Sequence, residues 1–264
     1  MDWGLANRLA RILKPPTGRT VMLAVDHGYF LGPTTGLEEP AKTIGPLLPY
    51  ADSLMLTRGV LRTSMPADAD VPIVLRVSGG ASILRELSHE GLTVAMEDAI
   101  RVNASAVTMS IFVGGEGERQ TLLNLAKLVD LGIKFGIPVL AVTAVGKEMT
   151  RDARYLGLCC RIAAEIGAHA VKTYYCEGFD EVVRATPVPI VVAGGKKTGE
   201  RDALTLAWNA VGSGARGVDM GRNIFQSDCP VGMIRAVRAV VHDGATVDEA
   251  YAGYERARAA SVGP

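Results

Sequence analysis

The chain has 264 residues, of which 28 are basic and 28 acidic, so its formal net charge is zero. This balance argues against a nucleic-acid-binding protein with a large basic face, because such binding needs many phosphate-neutralising Lys and Arg side chains. Hydrophobic residues make up 48% of the chain, which excludes general disorder, and no apolar run approaches the ~18 residues that span a bilayer. The length permits either two domains or one α/β barrel.

The first segment carries apolar side chains at helical spacing and ends at Pro15-Pro16. This pattern predicts a short helix at about residues 3–14 that packs on the domain. Its basic residues are not followed by the 7–15 apolar residues of a signal peptide, so we expect a cytoplasmic protein. The four cysteines lack the spacing of metal or redox motifs, and we therefore predict no metal site.

Eight short apolar runs follow, and each is separated from the next by a polar or Gly-rich break and a longer stretch. The runs cover residues 21–25, 53–56, 73–77, 106–111, 139–142, 170–174, 190–193 and 217–220. Apolar strands that alternate with helices indicate a parallel sheet covered by helices. Eight such units in about 250 residues predict an α/β fold, a (β/α)8 TIM barrel that forms one domain over residues 1–264. A doubly wound open sheet is the alternative, but Asp26-His27-Gly28 after the first strand is no phosphate loop.

Three of the strands begin alike, with NASAVT at 103–108, GAHAVK at 167–172 and GARGVD at 214–219. If each Val faces the helices, alternation turns Thr108, Lys172 and Asp219 into the barrel interior. A Lys there is costly to bury as a cation, so it either reaches solvent, pairs with an acid, or acts as a free amine toward carbonyl groups. Lys172 is therefore the leading candidate for a Schiff-base lysine.

Asp26 ends the first strand at the carboxyl-terminal face, where barrel enzymes carry their chemistry. It could pair with Lys172, hold a substrate hydroxyl group, move a proton, or simply cap the following turn. His27 is expected, by alternation, to face outward and to be structural.

Two loops combine glycine with basic side chains at the usual phosphate site of a barrel, after strands seven and eight. Gly194 and Gly195 precede Lys196-Lys197, and Gly221 precedes Arg222. We predict a phosphate site at Gly194, Gly195, Gly221 and Arg222; tight turns with solvated lysines are the alternative.

Six segments together resemble the archaeal-type class I aldolase family (DeoC/FbaB-like aldolases). They are residues 21–32 (VMLAVDHGYFLG), 75–82 (LRVSGGAS), 141–149 (AVTAVGKEM), 171–175 (VKTYY), 189–197 (PIVVAGGKK) and 218–227 (VDMGRNIFQS). The resemblance implies a barrel enzyme with Lys172 as Schiff-base lysine, Asp26 as active-site acid, and the Gly194, Gly195, Gly221 and Arg222 loops around a phosphate. It also implies a homo-oligomer, as rings of five that pair into ten.

One position departs from this pattern, because Ala144 stands where sugar-phosphate aldolases of the family carry a fifth-strand Tyr for proton transfer. Without that group, retro-aldol cleavage loses its acid/base. The resemblance is nearest to members that transfer an acetyl group from a phosphorylated pentane-2,4-dione to coenzyme A, in autoinducer-2 breakdown. We therefore expect a thiolase-type acyltransferase that forms acetyl-CoA and dihydroxyacetone phosphate, with coenzyme A as co-substrate and no bound cofactor. The alternatives are a class I aldolase acting on a sugar phosphate such as fructose bisphosphate, a related ketose synthase, and a noncatalytic phosphometabolite-binding barrel.

Overall fold

The computed structural model describes residues 2–144 and 150–261. Eight parallel strands close into a barrel in chain order, as predicted, and not into an open sheet. They are β1 (Thr20–Ala24), β2 (Ser53–Thr57), β3 (Ile73–Arg76), β4 (Ala106–Ile111), β5 (Val139–Thr143), β6 (Ala170–Thr173), β7 (Ile190–Ala193) and β8 (Gly217–Met220). The ring is completed where β1 pairs with β8, with Val21 opposite Val218.

Helices surround this barrel and cover its ends. They are α1 (Trp3–Ile12), α2 (Gly28–Leu31), α3 (Pro40–Ile44), α4 (Arg58–Ser64), α5 (Met96–Arg101), α6 (Glu118–Phe135), α7 (Ala153–Ile166), α8 (Phe179–Ala185), α9 (Glu200–Gly212), α10 (Arg222–Phe225), α11 (Pro230–Arg238) and α12 (Val247–Ser261). A 3-10 helix (Gly45–Tyr50) and a π-helical turn (Ala239–Asp243) supplement them, and Ser78–Gly79 pairs with Gly91–Leu92 in the β3–α5 connection. In the two described ranges, no helix has both the length and the apolar character needed to cross a membrane.

Side-chain alternation along the strands builds two apolar cores. Val107, Val171 and Val218 pack between the sheet and the helices, which confirms the predicted orientation of the three similar strands. Met22, Met55 and their counterparts on other strands fill the barrel interior. The helices therefore cover one core, while the strands enclose the other.

Helix α1 closes the amino-terminal end of the barrel. Its side chain Ile12 joins the interior core, where it packs with Met22, Leu140 and Ala170. Asp2 caps the helix, since its Oδ1 accepts a hydrogen bond of 2.9 Å from the Leu5 N–H. The amino-terminal end of the barrel is therefore closed by apolar side chains, and the charged interior side chains lie at the opposite, carboxyl-terminal end.

Candidate active site

A cavity of about 420 Å³ opens at the carboxyl-terminal end of the barrel. The six residues predicted from the sequence to form the site all line it: Asp26, Lys172, Gly194, Gly195, Gly221 and Arg222. They come from β1, β6, β7 and β8 or from the loops directly after these strands. Because the carboxyl ends of parallel strands meet at one face, the barrel brings together residues almost 200 positions apart.

Lys172 forms a buried ion pair inside this cavity. Its Nζ lies 2.7 Å from Asp219 Oδ2 and 3.7 Å from Met55 Sδ. Asp219 is 1% exposed, and this burial raises the pKa of its carboxyl group although the charge of Lys172 acts to lower it. A carboxylate made more basic in this way is a proton acceptor in direct contact with the Lys172 ammonium group. The pair therefore suits Lys172 to nucleophilic attack on a carbonyl carbon.

Asp26 pairs with Arg76, and not with Lys172 as one of the sequence alternatives had it. Its Oδ2 accepts a hydrogen bond of 2.9 Å from Nε of Arg76, and Nη2 of Arg76 lies 2.9 Å from the same oxygen in the ion pair. Burial acts to raise the pKa of Asp26, but the charges of Arg76 and Lys172 outweigh burial and hold that pKa below its usual value. Asp26 is thus a carboxylate, oriented by Arg76, on the wall of the cavity.

Sequence reasoning overlooked Arg76, although a signal was present. Arg76 is the single charged residue in the apolar run 73–77. It lies two positions after Val74, so both side chains point to the same side of the strand, the barrel interior. Its Nη1 donates a 3.0 Å hydrogen bond to Ser110 Oγ on β4. A charged side chain at an interior position of a strand could therefore have identified Arg76 as a site residue.

His27 was predicted to face outward, but it lines the cavity. The prediction was wrong because β1 ends at Ala24 and the backbone of His27 is helical, so strand alternation no longer holds there. Its ring and that of Phe225 form a T-shaped pair, with 5.8 Å between the centroids. Burial lowers the pKa of His27 to about 4, which keeps the imidazole neutral near pH 7.

The glycines of the predicted phosphate loops serve close packing and backbone conformation. A Cβ on Gly221 would lie 2.3 Å from the Ala24 carbonyl oxygen, and one on Gly194 would lie 2.9 Å from Met220 Cγ. Gly195 has φ of +72°, a conformation that favours glycine. The N–H of Gly194 donates to the Asp219 carbonyl. The two loops are thus held against each other and against β1.

Arg222 and Asn223 join the two loops directly. Arg222 Nη2 donates a 2.9 Å hydrogen bond to the Gly195 carbonyl oxygen, and Asn223 Nδ2 donates one of 2.7 Å to that of Gly194. Within the described residues, Nε of Arg222 is buried and has no hydrogen-bond partner. An unpaired guanidinium N–H beside the cavity is suited to an anion. Asn223 was not identified from the sequence as a site residue, since one Asn in the short helix α10 carries no distinctive signal.

The family to which this barrel belongs follows from comparison with known proteins. The DeoC/LacD family aldolase pattern matches residues 20–227. The chain belongs to the DeoC/LacD aldolase family.

Two curated relatives are each named 3-hydroxy-5-phosphonooxypentane-2,4-dione thiolase. The one from Klebsiella pneumoniae is 58% identical over 252 residues, covering 95% of this chain and 85% of the relative. The one from Escherichia coli K12 is 56% identical over 255 residues, covering 96% and 88%.

Solved structures of archaeal fructose-1,6-bisphosphate aldolases share the architecture. An archaeal fructose 1,6-bisphosphate aldolase superposes with a TM-score of 0.81 at 28% identity, covering 91% of this chain and 100% of that one. A second archaeal fructose-1,6-bisphosphate aldolase, solved with its catalytic Lys covalently bound to the carbinolamine intermediate of the substrate, gives 0.81 at 26% identity, covering 90% and 99%.

Two further features of the cavity lie after β5 and β6. Ala144, directly after β5, lines the wall and offers only a methyl group. Residues 145–149, the rest of the family-like segment 141–149, lie outside the described residues. On the same wall, Arg151 stacks on the ring of Tyr174 at 3.8 Å from its centroid.

A second polar cluster, which the sequence did not reveal, lies beside Arg76. Tyr29 Oη donates a 2.7 Å hydrogen bond to Glu90 Oε1, and Ser78 Oγ donates one of 2.6 Å to Glu90 Oε2. Tyr29 and Glu90 line the cavity, and Arg76 lies 4.9 Å from the Tyr29 ring centroid. Glu90 belongs to a loop, so neither strand nor helix periodicity could place it.

Proposed function

We propose that the chain is a thiolase-type acyltransferase. It would transfer acetyl from 3-hydroxy-5-phosphonooxypentane-2,4-dione to coenzyme A and release acetyl-CoA and dihydroxyacetone phosphate. The observation that carries this proposal is the single cavity that holds the Lys172–Asp219 pair, the Gly- and Arg-bearing loops, and Ala144 in place of a proton-transferring hydroxyl. Curated thiolases more than 55% identical over nearly the whole chain support it.

The first step places the phosphate of the dione at the loops of Gly194, Gly195, Gly221 and Arg222. The guanidinium group of Arg222, whose Nε has no hydrogen-bond partner among the described residues, favours negative charge there. Lys172, after Asp219 has taken its proton, adds to the carbonyl beside the phosphate-bearing carbon, and loss of water gives an imine. The lysine-bound carbinolamine of the archaeal aldolase supports this role for Lys172.

The second step is the acyl transfer. The thiolate of coenzyme A attacks the acetyl carbonyl, and the bond to the hydroxyl-bearing carbon breaks. The electron pair of that bond passes into the protonated imine and gives an enamine. The enamine carbon then takes a proton, and water releases dihydroxyacetone phosphate from Lys172. We assign to the Asp26 carboxylate, oriented by Arg76, the binding of the substrate hydroxyl group.

Aldol cleavage of a sugar phosphate is the second candidate, and the fold similarity to archaeal fructose bisphosphate aldolases favours it. That reaction must remove a proton from the substrate hydroxyl group, a contribution of about 10²–10⁴ in rate. At the Ala144 position only a methyl group is available. Acyl transfer makes no such demand, because the bond breaks after a thiol has added to the carbonyl.

The test is a product assay with purified protein, the phosphorylated dione and coenzyme A. We expect acetyl-CoA and dihydroxyacetone phosphate, strict dependence on coenzyme A, and a borohydride-trapped adduct on Lys172 by mass spectrometry. Lys172→Met should abolish both turnover and adduct, whereas Lys134→Met, on the exposed end of α6, should leave both unchanged. Cleavage of fructose bisphosphate without coenzyme A, and no acetyl-CoA from the dione, would establish the aldolase instead.

The assembly and location of the enzyme stay predictions. The resemblance implies rings of five that pair into ten, whereas the cytoplasmic location is the expectation drawn above from the sequence pattern.

A further inference from the structure

The proposed acyl transfer needs two proton transfers that the Lys172–Asp219 pair does not provide. The thiol must lose a proton before it attacks, and the enamine carbon must gain one after the carbon–carbon bond has broken. One group that first accepts and then returns a proton would serve both demands. This reasoning rests on the proposed function.

Most ionisable groups described in the cavity are committed elsewhere. Asp26 is paired with Arg76, which also donates a hydrogen bond to it. Asp219 is paired with Lys172. His27 packs edge-to-face against the ring of Phe225.

Tyr29 and Glu90 form a hydroxyl–carboxylate pair that can pass a proton from one group to the other. Glu90 is 3% exposed, yet its two oxygens accept short hydrogen bonds from Tyr29 Oη and Ser78 Oγ. Because the Tyr29 proton points at Glu90, the Tyr29 oxygen presents its lone pairs to other donors. Ser110 Oγ, at 3.4 Å, links this oxygen to the Arg76–Asp26 pair.

Tyr29 also lies where two substrates can meet. Its side chain lines the cavity that contains Lys172, and it lines a solvent-open groove of about 660 Å³ bordered by Gly80, Arg85 and His89. A thiol can therefore approach Tyr29 from the groove while the dione occupies the cavity.

We propose that Tyr29 and Glu90 form the proton relay of the reaction. The thiol gives its proton to Tyr29 Oη as Tyr29 passes its own proton to Glu90, so that the reactants become a thiolate and a neutral Glu90 carboxylic acid. After the carbon–carbon bond has broken, the proton returns from Glu90 through Tyr29 to the enamine carbon, and Glu90 is again a carboxylate. The thiol proton thus ends on the hydroxymethyl carbon of dihydroxyacetone phosphate.

The return step can be measured without coenzyme A. Enzyme incubated with dihydroxyacetone phosphate in D2O forms the Lys172 imine, and reversible enamine formation replaces a hydroxymethyl hydrogen with deuterium, which NMR detects. We expect Tyr29→Phe and Glu90→Gln each to slow this exchange and acetyl-CoA formation by about 10²-fold or more. Borohydride trapping of the Lys172 imine should be unchanged, because Phe retains the ring beside Arg76 and Gln retains the shape of Glu90.

Tyr175→Phe is the matched control, since Tyr175 packs on Phe179 and does not line the cavity. It should exchange deuterium at the wild-type rate. Unchanged exchange in Tyr29→Phe would overturn the relay, and so would a parallel loss of imine trapping, which would mean that Tyr29 only positions the site. Absence of exchange in the wild-type enzyme would also overturn it. Wild-type exchange that depends on Tyr29 and Glu90, with no acetyl-CoA from the dione, would refute the thiolase and leave the relay standing.

Discussion

Two buried ion pairs, Asp26–Arg76 and Lys172–Asp219, divide the charges at the centre of the cavity. Burying a charge without a partner costs several kcal/mol, so each pair fixes its members in place. The division has a chemical consequence. Because Arg76 is held to Asp26 by a hydrogen bond and an ion pair, Asp219 is left as the partner that can exchange a proton with Lys172.

Substitution of Arg76 tests this division. Arg76→Met leaves Asp26 buried without its main counter-charge and should lower the free energy of unfolding by about 3–5 kcal/mol. In the double variant Asp26→Asn/Arg76→Met the uncompensated charge is gone, and the loss should be smaller than in Arg76→Met alone. Urea denaturation of the four proteins measures the coupling. Additive losses would show that the two side chains do not depend on each other.

Among the secondary elements, α1 stands apart because it contributes to the interior core and not to the outer layer. It buries Leu5 and Ile12 and leaves Trp3 80% exposed. The barrel interior would otherwise be open at the amino-terminal end, where Met22, Leu140 and Ala170 meet. The helix therefore closes the end that carries no chemistry, and its stability contribution is separable from activity.

Ile12→Ala removes the side chain that enters the barrel and leaves a cavity. We expect a loss of about 2–4 kcal/mol in unfolding free energy, with kcat within about twofold of wild type because the site lies at the opposite end. Thermal or urea denaturation and the coenzyme-A-dependent assay provide the two readouts. Trp3→Ala, at an exposed position of the same helix, should change neither. A large fall in kcat for Ile12→Ala would contradict the separation of the two ends.

At the scale of the molecule, Asp52 joins the beginning of the barrel to its end. Its Oδ2 accepts hydrogen bonds from the Val21 N–H at 2.7 Å and from His242 Nε2 at 2.6 Å, and its Oδ1 accepts one of 2.8 Å from Arg238. Burial acts to raise the pKa of Asp52, but the hydrogen bonds from His242, Arg238 and Val21 outweigh it and hold the pKa below its usual value. The carboxylate form therefore stabilises the contact of β1 with α11 and the π-helical turn.

The sign of the resulting pH dependence follows from the lowered pKa. The stabilisation is complete above the unfolded-state pKa of about 4 and is lost as the pH falls from there through the folded-state pKa. Asp52→Asn should cost about 2–4 kcal/mol near pH 7 and less below about pH 4, as measured by urea denaturation. The surface variant Asp180→Asn, from the exposed pair with Arg184, should cost less than about 1 kcal/mol. An Asp52→Asn cost that does not vary with pH would exclude the charged form as its source.

What could be predicted from the sequence is what depends on local periodicity. Eight apolar runs with intervening helices predicted the barrel, and alternation placed Lys172 and Asp219 inside it because neighbouring side chains of a strand face opposite ways. Counting the predicted strands along the chain also placed the glycine loops after β7 and β8. Periodicity ends with the strand, which is why the prediction for His27, three residues beyond β1, was wrong.

Only the tertiary structure decided which charges pair. Asp26 and Arg76 are 50 positions apart, and Tyr29 and Glu90 are 61 apart. Such contacts depend on where the closed ring places the ends of β1, β3 and β4 and the loop that bears Glu90, so no local pattern encodes them. The sequence by itself determined a barrel with a lysine inside. The closure of that barrel decided which carboxylate faces the lysine, because partners across a ring are set by geometry and not by spacing along the chain.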